Sequence, residues 1–521
     1  MLRKNYDTQQ LTLLDHSFLM EELIPQDSWA REFRSLLTTI APREFCEELY
    51  HPNLGRPAAN PTVLTGALLV QARRGWSDRE LEHHVRFDME TKYALGLDPY
   101  HKGFDHSTFE YHRNQRMLKG QKDRGIFDAV INRLIVDGIL PKDALQIIDS
   151  TYHNANIALV GPREFLRRGI VNVIRVLRAQ GVVTNEEVKS IGLGGYLAHL
   201  DRKAKASKLG DGRMDDEKKR KELKAVYEHA KKLLELVDGR SMDVKSEVEV
   251  QLLKRYIEET VEAKGEDIQE RKRTSVQDRI VSVVDTEARY GVKNKSTTFN
   301  GYKSTITGTT DGIITGVLVT PGNVHDGKVL APAVEELIDR GFDPKICAGD
   351  TSYGYGENRA YAKSKSIELY AKAPEKSKQE EGFVYDEQTD TFTCPHGLAS
   401  AKGRLHKDEV KVDYTFPVKQ CKQCPMFATC VGEKKQKRLR LSRYHHINAQ
   451  GRALNETPEY KETMRQRSII ERAFASLINR CNLRVFRLRG IRKALYQVFM
   501  ASAMLNVMTY FRLKKAQACT A

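Results

Sequence analysis

A chain of 521 residues is too long for one hydrophobic core, so two to four domains are expected. Its 85 Lys and Arg against 69 Asp and Glu leave a net charge of +16, which suits a polyanionic partner, nucleic acid above all. Eight cysteines at this length form no secreted disulfide pattern, and Met1-Leu-Arg-Lys-Asn-Tyr-Asp7 opens no apolar signal core, so a cytoplasmic protein without a membrane partner is expected.

Residues 1–140 read as mostly helical. Asn60-Pro61 is a cap followed by proline at the first helical position, and Val63, Leu64, Ala67, Leu68 and Val70 follow, up to Gly75. Ser77-Asp-Arg-Glu80 has the spacing of a capping box and predicts the next helix; Ser107-Thr-Phe-Glu110 predicts another. Helix, glycine-bearing turn and capped helix outline a helix-turn-helix, which would make this a DNA-binding domain, although such pairs also merely pack together.

Ala144-Leu-Gln-Ile-Ile-Asp149 is an apolar run ending in a carboxylate, followed by Ser150 and Thr151. It predicts a strand buried on both faces with an acid at its tip. Aspartate at a strand end also serves as a turn former or helix cap, so the residue alone does not decide. Gly161-Pro162 breaks the pattern, and residues 166–276 then read as a charged helical insertion. There Leu223, Val226, Ala230, Leu233, Leu234 and Val237 recur at helical spacing after a turn at Gly210-Asp-Gly212. It is either a solvated helical hairpin or an arm that touches DNA or a second subunit.

Strand signals return at Arg279-Ile-Val-Ser-Val-Val-Asp285. Phe299–Gly308 and Gly312–Thr320 flank Thr309-Thr-Asp-Gly312, which reads as a hairpin. A helix is predicted over Val329–Arg340, then Lys345-Ile-Cys-Ala-Gly-Asp350, a second apolar run closed by an acid. This order is neither doubly wound nor a barrel and predicts a mixed α/β sheet.

Residues 376–452 differ in composition. Cys421-x-x-Cys424 is a spacing that lets two thiolates grip one tetrahedral zinc, with Cys394 and Cys430 as the remaining ligands and His396 as an alternative to either. Reduced, unligated thiols fit the same spacing. The run Lys434-Lys435-Gln-Lys-Arg438-Leu-Arg440 suits phosphates, or a solvated linker. Between Thr463 and Lys493 stand nine basic residues, Arg467, Arg472 and Arg480 among them, and one acid, Glu471, inside a helical pattern. The last apolar run, Ala494–Phe511, is interrupted by Gln497, Ser502, Asn506 and Thr509 and reads as a buried helix packed on the sheet.

Two strand-end aspartates and a helical glutamate make an oxygen donor set for two divalent cations. Cutting or joining phosphodiesters requires charge stabilisation on both the attacking and the departing oxygen, which two Mg²⁺ or Mn²⁺ ions supply.

On these motifs the chain resembles bacterial insertion-sequence transposases of the DDE type. Asn53-Leu-Gly-Arg-Pro57, Gly75-Trp-Ser-Asp-Arg-Glu-Leu81 and Phe104-Asp-His-Ser-Thr-Phe109 resemble their helical N-terminal domain. Asp149-Ser-Thr151 is similar to the first catalytic aspartate's motif and Gly349-Asp350-Thr-Ser-Tyr-Gly354 to the second's; Phe299-Asn-Gly-Tyr-Lys303 and Asn323-Val-His-Asp326-Gly327 are similar to the central strands. Arg467-x-x-x-Glu471-x-x-Phe474 is similar to the signature around the glutamate; where several relatives carry tyrosine and lysine, this chain has Met464 and Ile478. The cysteine-containing stretch resembles an insert of one branch of the family.

The resemblance implies a ribonuclease H-like catalytic domain over 141–165, 277–375 and 453–515, interrupted by the insertions 166–276 and 376–452. It implies an enzyme that binds terminal inverted repeats of double-stranded DNA, cleaves the ends and joins them to target DNA, with two or more subunits holding both ends. Asp149, Asp350 and Glu471 would be its metal ligands. DNA contacts would come from Arg467, Arg472, Arg480, Lys434, Lys435 and Arg438. Two other classes share these features: a regulator that binds DNA without cutting it, and a metal-dependent nuclease unconnected with transposition.

Overall fold

The computed structural model describes residues 17–51, 58–201, 216–265, 267–272, 275–407 and 409–520. The Asn53–Pro57 motif and the Gly210–Gly212 turn lie outside them.

A curled, mixed six-stranded sheet carries the rest of the chain. Its strands are β1 (Gln146–Asn154), β2 (Arg289–Asn294), β3 (Thr297–Gly308), β4 (Ile314–Pro321), β5 (Ile346–Gly349) and β6 (Glu368–Tyr370). The main path runs β2-β3-β1-β5-β6, and β4 pairs with β3. β5 and β6 are parallel to β1 and to each other, whereas β3 is antiparallel to β1, β2 and β4. The β3–β4 connection is the expected hairpin: Thr309 and Ile313 share a backbone hydrogen bond, and Gly312 takes φ +84°.

β1 is buried on both faces, as its apolar run predicts. Ile147 belongs to the large core that the N-terminal and C-terminal helices build on one face; Ile148 belongs to a smaller core on the other, with Leu330 and Val334 of helix Leu330–Asp339. The strand does not end at its acid. It runs five residues further, because the antiparallel ladder to β3 continues from Asp149–Ile306 to Asn154–Gly301; at its end Asn154 also pairs in parallel with Val485 and exchanges backbone hydrogen bonds with Arg484 and Phe486. What ends near Asp149 is the parallel ladder to β5, whose last pair is Ile148 with Gly349.

In the N-terminal region the helix Pro61–Arg74 is capped by the Asn60 side chain and closed by Gly75 at φ +68°; Ser77 and Glu80 form a complete capping box for Asp78–Phe87. The expected box at Ser107 is not formed. The helix there starts two residues earlier than that box would place it, at His106, and Asp105 caps it by accepting the Ser107 N–H. These helices have no separate core: they share one cluster with the C-terminal helix Ile491–Thr520 and the sheet. That helix is long and apolar enough to cross a membrane, yet 78% of its apolar window is buried inside the protein. Two of its interrupting polar residues have partners there, Asn506 bonding both the N–H and the C=O of Ile314 on β4, and Gln497 accepting the Arg487 N–H.

The 166–276 insertion has its own helical core, lined by Leu223, Val226, Ala230 and Leu233 of Asp216–Val237, but also a two-stranded hairpin, Val261–Lys264 with Asp267–Glu270, that periodicity did not indicate. Arg279–Asp285 is not a strand. Only Ile280 makes a bridge, to Arg289, and its N–H goes to the Glu259 carboxylate instead of a neighbouring strand.

Candidate active site

Asp149 and Asp350 meet at the sheet. Because Ile148 pairs with Gly349 in parallel register, the residues that follow them stand side by side. Asp149 accepts the Ser150 N–H at 2.7 Å, and Asp350 accepts the Ser352 N–H at 2.8 Å as it caps the short turn Thr351–Tyr353. Burial pushes the Asp149 carboxyl above the usual range and the Asp350 charge adds to this, against the pull of the Ser150 N–H and Arg467.

Glu471 comes from the helix Ser468–Ala475, whose Ile470 and Phe474 are buried in the large core. Its side chain stands on the outer face, 63% exposed, and reaches the aspartates through an intermediary. Arg467 Nη1 donates to Asp149 Oδ2 at 3.0 Å, and Arg467 Nη2 lies 3.6 Å from Glu471 Oε1. One guanidinium thus spans an aspartate of the sheet and the glutamate of the helix. Arg472 and Arg480 are exposed on the same helical stretch.

The three acids do not close on a common point. Among the described residues, the one group of three His, Cys, Asp or Glu ligand atoms within 4.8 Å of one another is Glu82, Asp105 and His106, far from the acids in sequence and already joined by the His106–Glu82 hydrogen bond. The donor set nevertheless suits a hard divalent cation: only carboxylate oxygens, two of them charged neighbours, with a cationic side chain between the sheet and the helix.

Several residues beneath the acids make contacts that their local sequence does not indicate, although Ser150, Lys303, Asp326 and Tyr353 stand inside the motifs quoted above. Tyr353 is buried and its hydroxyl lies 2.8 Å from Ser150 Oγ, which in turn lies 2.7 Å from Thr305 Oγ1, so hydroxyls link β3, β1 and the loop after Asp350. Burial raises the Tyr353 phenol well above its ordinary value, and the charges of Asp326, Asp149 and Asp350 add to the rise. Asp326 is held by Lys303 Nζ at 2.9 Å. His153, four residues after Asp149, is fully buried: its Nδ1 donates to Leu483 O at 2.6 Å, leaving Nε2 to accept from Ser304 Oγ at 2.6 Å. Burial lowers it to about 4, so it is neutral at pH 7. Arg484 lies over the Tyr152 ring at 4.1 Å and donates to the Tyr152 carbonyl at 2.7 Å. These contacts fasten the segment behind the glutamate helix to the strand that carries Asp149.

The remaining predicted residues fall in the 376–452 insertion. Lys434, Lys435 and Arg438 line one groove of ≈ 740 Å³ with Lys437 and Arg440. Cys394, Cys421, Cys424 and Cys430 line a second cavity, of ≈ 670 Å³, with His396 also on its wall.

The profile of the family described as "Transposase DDE domain" matches residues 393–511, a span that holds Glu471, Arg467 and the four cysteines. A second, "Transposase domain (DUF772)", matches residues 18–115, the N-terminal helices. Together the two matches support an insertion-sequence DDE transposase. Transposases of these families act on DNA, and DDE domains generally use divalent metal ions. No curated protein and no solved structure matches the chain.

Proposed function

We propose that this transposase binds the terminal inverted repeats of its own insertion sequence, cleaves the DNA ends and joins the freed 3′-hydroxyls to target DNA, with Asp149, Asp350 and Glu471 as the acids of the reaction. The observation that carries this reading is the adjacency of Asp149 and Asp350 on paired parallel strands, with Arg467, one turn before Glu471, hydrogen-bonded to Asp149. The strand order β4-β3-β1-β5-β6, with β3 reversed and the first acid on the central strand, supports a ribonuclease H-like catalytic domain over 141–165, 277–375 and 453–515.

The three acids would hold two Mg²⁺ or Mn²⁺ ions, which activate the attacking hydroxyl and stabilise the departing oxygen. The chain's own cations position the strand. Arg467 exchanges Asp149 for a backbone phosphate, and the exposed Arg472 and Arg480 extend the cationic path along the helix. The groove of Lys434, Lys435 and Arg438 adds phosphate contacts that carry no sequence information. Reading of the repeat falls to the N-terminal domain, whose helix Asp78–Phe87 leaves Arg79, His83, Arg86 and Phe87 exposed. A dimer or larger assembly would hold the two ends together.

The test is an end-joining assay: a labelled duplex carrying the inverted repeat that borders the gene, a supercoiled target plasmid, and Mg²⁺ or Mn²⁺. Joined products are expected. A chain that retards the duplex without cutting it would be a DNA-binding regulator, and one that cuts without joining would be a nuclease; either result refutes the proposal.

A further inference from the structure

We propose that Cys394, Cys421, Cys424 and Cys430 hold one structural Zn²⁺ ion, at a site separate from the carboxylates and independent of the transposition reading. Four thiols from two separate segments of the chain line one cavity, and all are free of disulfides. Each segment places its cysteine at a tight turn. Cys394 accepts the Gly397 N–H at 2.8 Å and donates to Leu398 O at 2.9 Å, with Gly397 at φ +75°; Cys421 accepts the Cys424 N–H at 3.1 Å, and Cys424 accepts the Phe427 N–H at 3.0 Å. The Cys421–Cys424 turn has the spacing that presents two thiolates to one tetrahedral ion, and Cys430, at the end of the short helix Phe427–Cys430, lines the same cavity.

The size of the module gives a second argument. Between residues 376 and 452 the strands are two to five residues long, and the core consists of seven buried side chains, Cys421 among them. A core that small needs a staple, and with no disulfide among these thiols a metal is the remaining kind that this chemistry offers. Zinc–sulfur bonds of about 2.3 Å bring four thiolates to within roughly 3.8 Å of one another. The thiols now stand wider than that, since no three of them fall within 4.8 Å of one another, and the ion draws the two turns together as their protons leave to solvent. The consequence reaches the cationic groove. Cys430, Val431 and Lys437 line both cavities, and Lys437 Nζ donates to the Cys430 carbonyl at 3.3 Å, so fixing Cys430 fixes the start of the Lys434–Arg440 run.

The experiment is metal analysis of the full-length chain purified without chelator, with Co²⁺ titration of the reduced, metal-free chain. One zinc per chain surviving dialysis, and a thiolate-to-cobalt charge-transfer band saturating at one equivalent, are expected. Cys424→Ser is expected to lose the zinc, and Cys519→Ser, at an exposed position outside the cavity, to keep it. A wild-type chain with no zinc and no thiolate–cobalt band overturns the proposal, as does full zinc retention by Cys424→Ser. Should the variant fail to fold, the cobalt titration of the wild-type chain decides alone; neither readout involves DNA.

Discussion

Arg467 donates to Asp149 across 318 positions of chain while its second terminal nitrogen rests near Glu471, one helical turn away. A cation therefore already lies between the first and third acids, where the burial of Asp149 would otherwise leave a charged carboxylate without compensation. Arg467→Ala is expected to destabilise the metal-free chain by about 1–3 kcal/mol, the range for orphaning a buried charge-assisted acceptor. Mg²⁺ should restore more stability to this variant than it adds to the wild type. Thermal melting with and without Mg²⁺ measures both; equal melting of the two chains in both conditions would contradict the role given to Arg467. Arg467→Lys should behave more like the alanine than like the wild type, because a point charge cannot span two carboxylates as a planar fork does.

Asp149 also sets a pH signature. Its carboxyl is raised, so its ionisation opposes folding: the stability is fully present at acid pH and is lost as pH rises through the raised value. Asp149→Asn removes that loss and should stabilise the metal-free chain at pH 7, with the difference from wild type vanishing in acid. Denaturant melts at the two pH values check this.

Histidines impose the opposite trend on the whole chain. His112, His153 and His445 are buried and lowered by that burial to about 4, from an ordinary value of 6.5. The unfolded chain takes up protons that the folded chain refuses, so stability is expected to fall as pH drops from 6.5 towards 4. His153→Gln should flatten part of that slope, and a pH series of urea melts would show it. An unchanged slope would mean that His153 titrates in place.

Much of the fold was legible where the deciding chemistry is local. The Asn60-Pro61 start, the Ser77–Glu80 box and the Thr309–Gly312 hairpin depend on neighbours three or four residues away, and the apolar run of β1 reports its two buried faces directly. Asp149 was misplaced at a strand tip because the residues that extend β1, Gly301 to Ile306 of β3 with Arg484 and Phe486 at the very end, lie far downstream in the chain. Arg279–Asp285 has the composition of a strand, but its backbone partner is the Glu259 side chain, which composition does not reveal. The closeness of Asp149 and Asp350 follows from the parallel pairing of two apolar runs that each end in an acid, whereas the exposed position of Glu471 has no counterpart in its helical pattern. The supports of the acids were not legible, since Tyr353–Ser150 and His153–Leu483 join residues that are distant in the chain.

Tyr353→Phe tests one such support. It removes a buried hydroxyl that contacts Ser150 Oγ, which keeps Thr305 as a partner, so a loss of about 0.5–1.5 kcal/mol is expected in urea unfolding. Because Tyr353 closes the turn capped by Asp350, DNA cleavage should fall further than stability does. Wild-type cleavage by this variant would show that the hydroxyl chain does not position the second acid.

Asn506→Leu tests the packing of the C-terminal helix on the sheet. It leaves the Ile314 N–H and C=O without their amide partner in the interior, at a cost of about 2–5 kcal/mol for two buried groups. A melt within a degree of wild type would contradict this.

The most direct measurement is cleavage of an end-labelled duplex carrying the terminal repeat, in Mn²⁺, by the wild type and by Asp149→Asn, Asp350→Asn and Glu471→Gln, with retardation of the same duplex measured alongside. The account predicts that each substitution abolishes cleavage and leaves the retarded complex intact. Cleavage at the wild-type rate by any one of the three would contradict it.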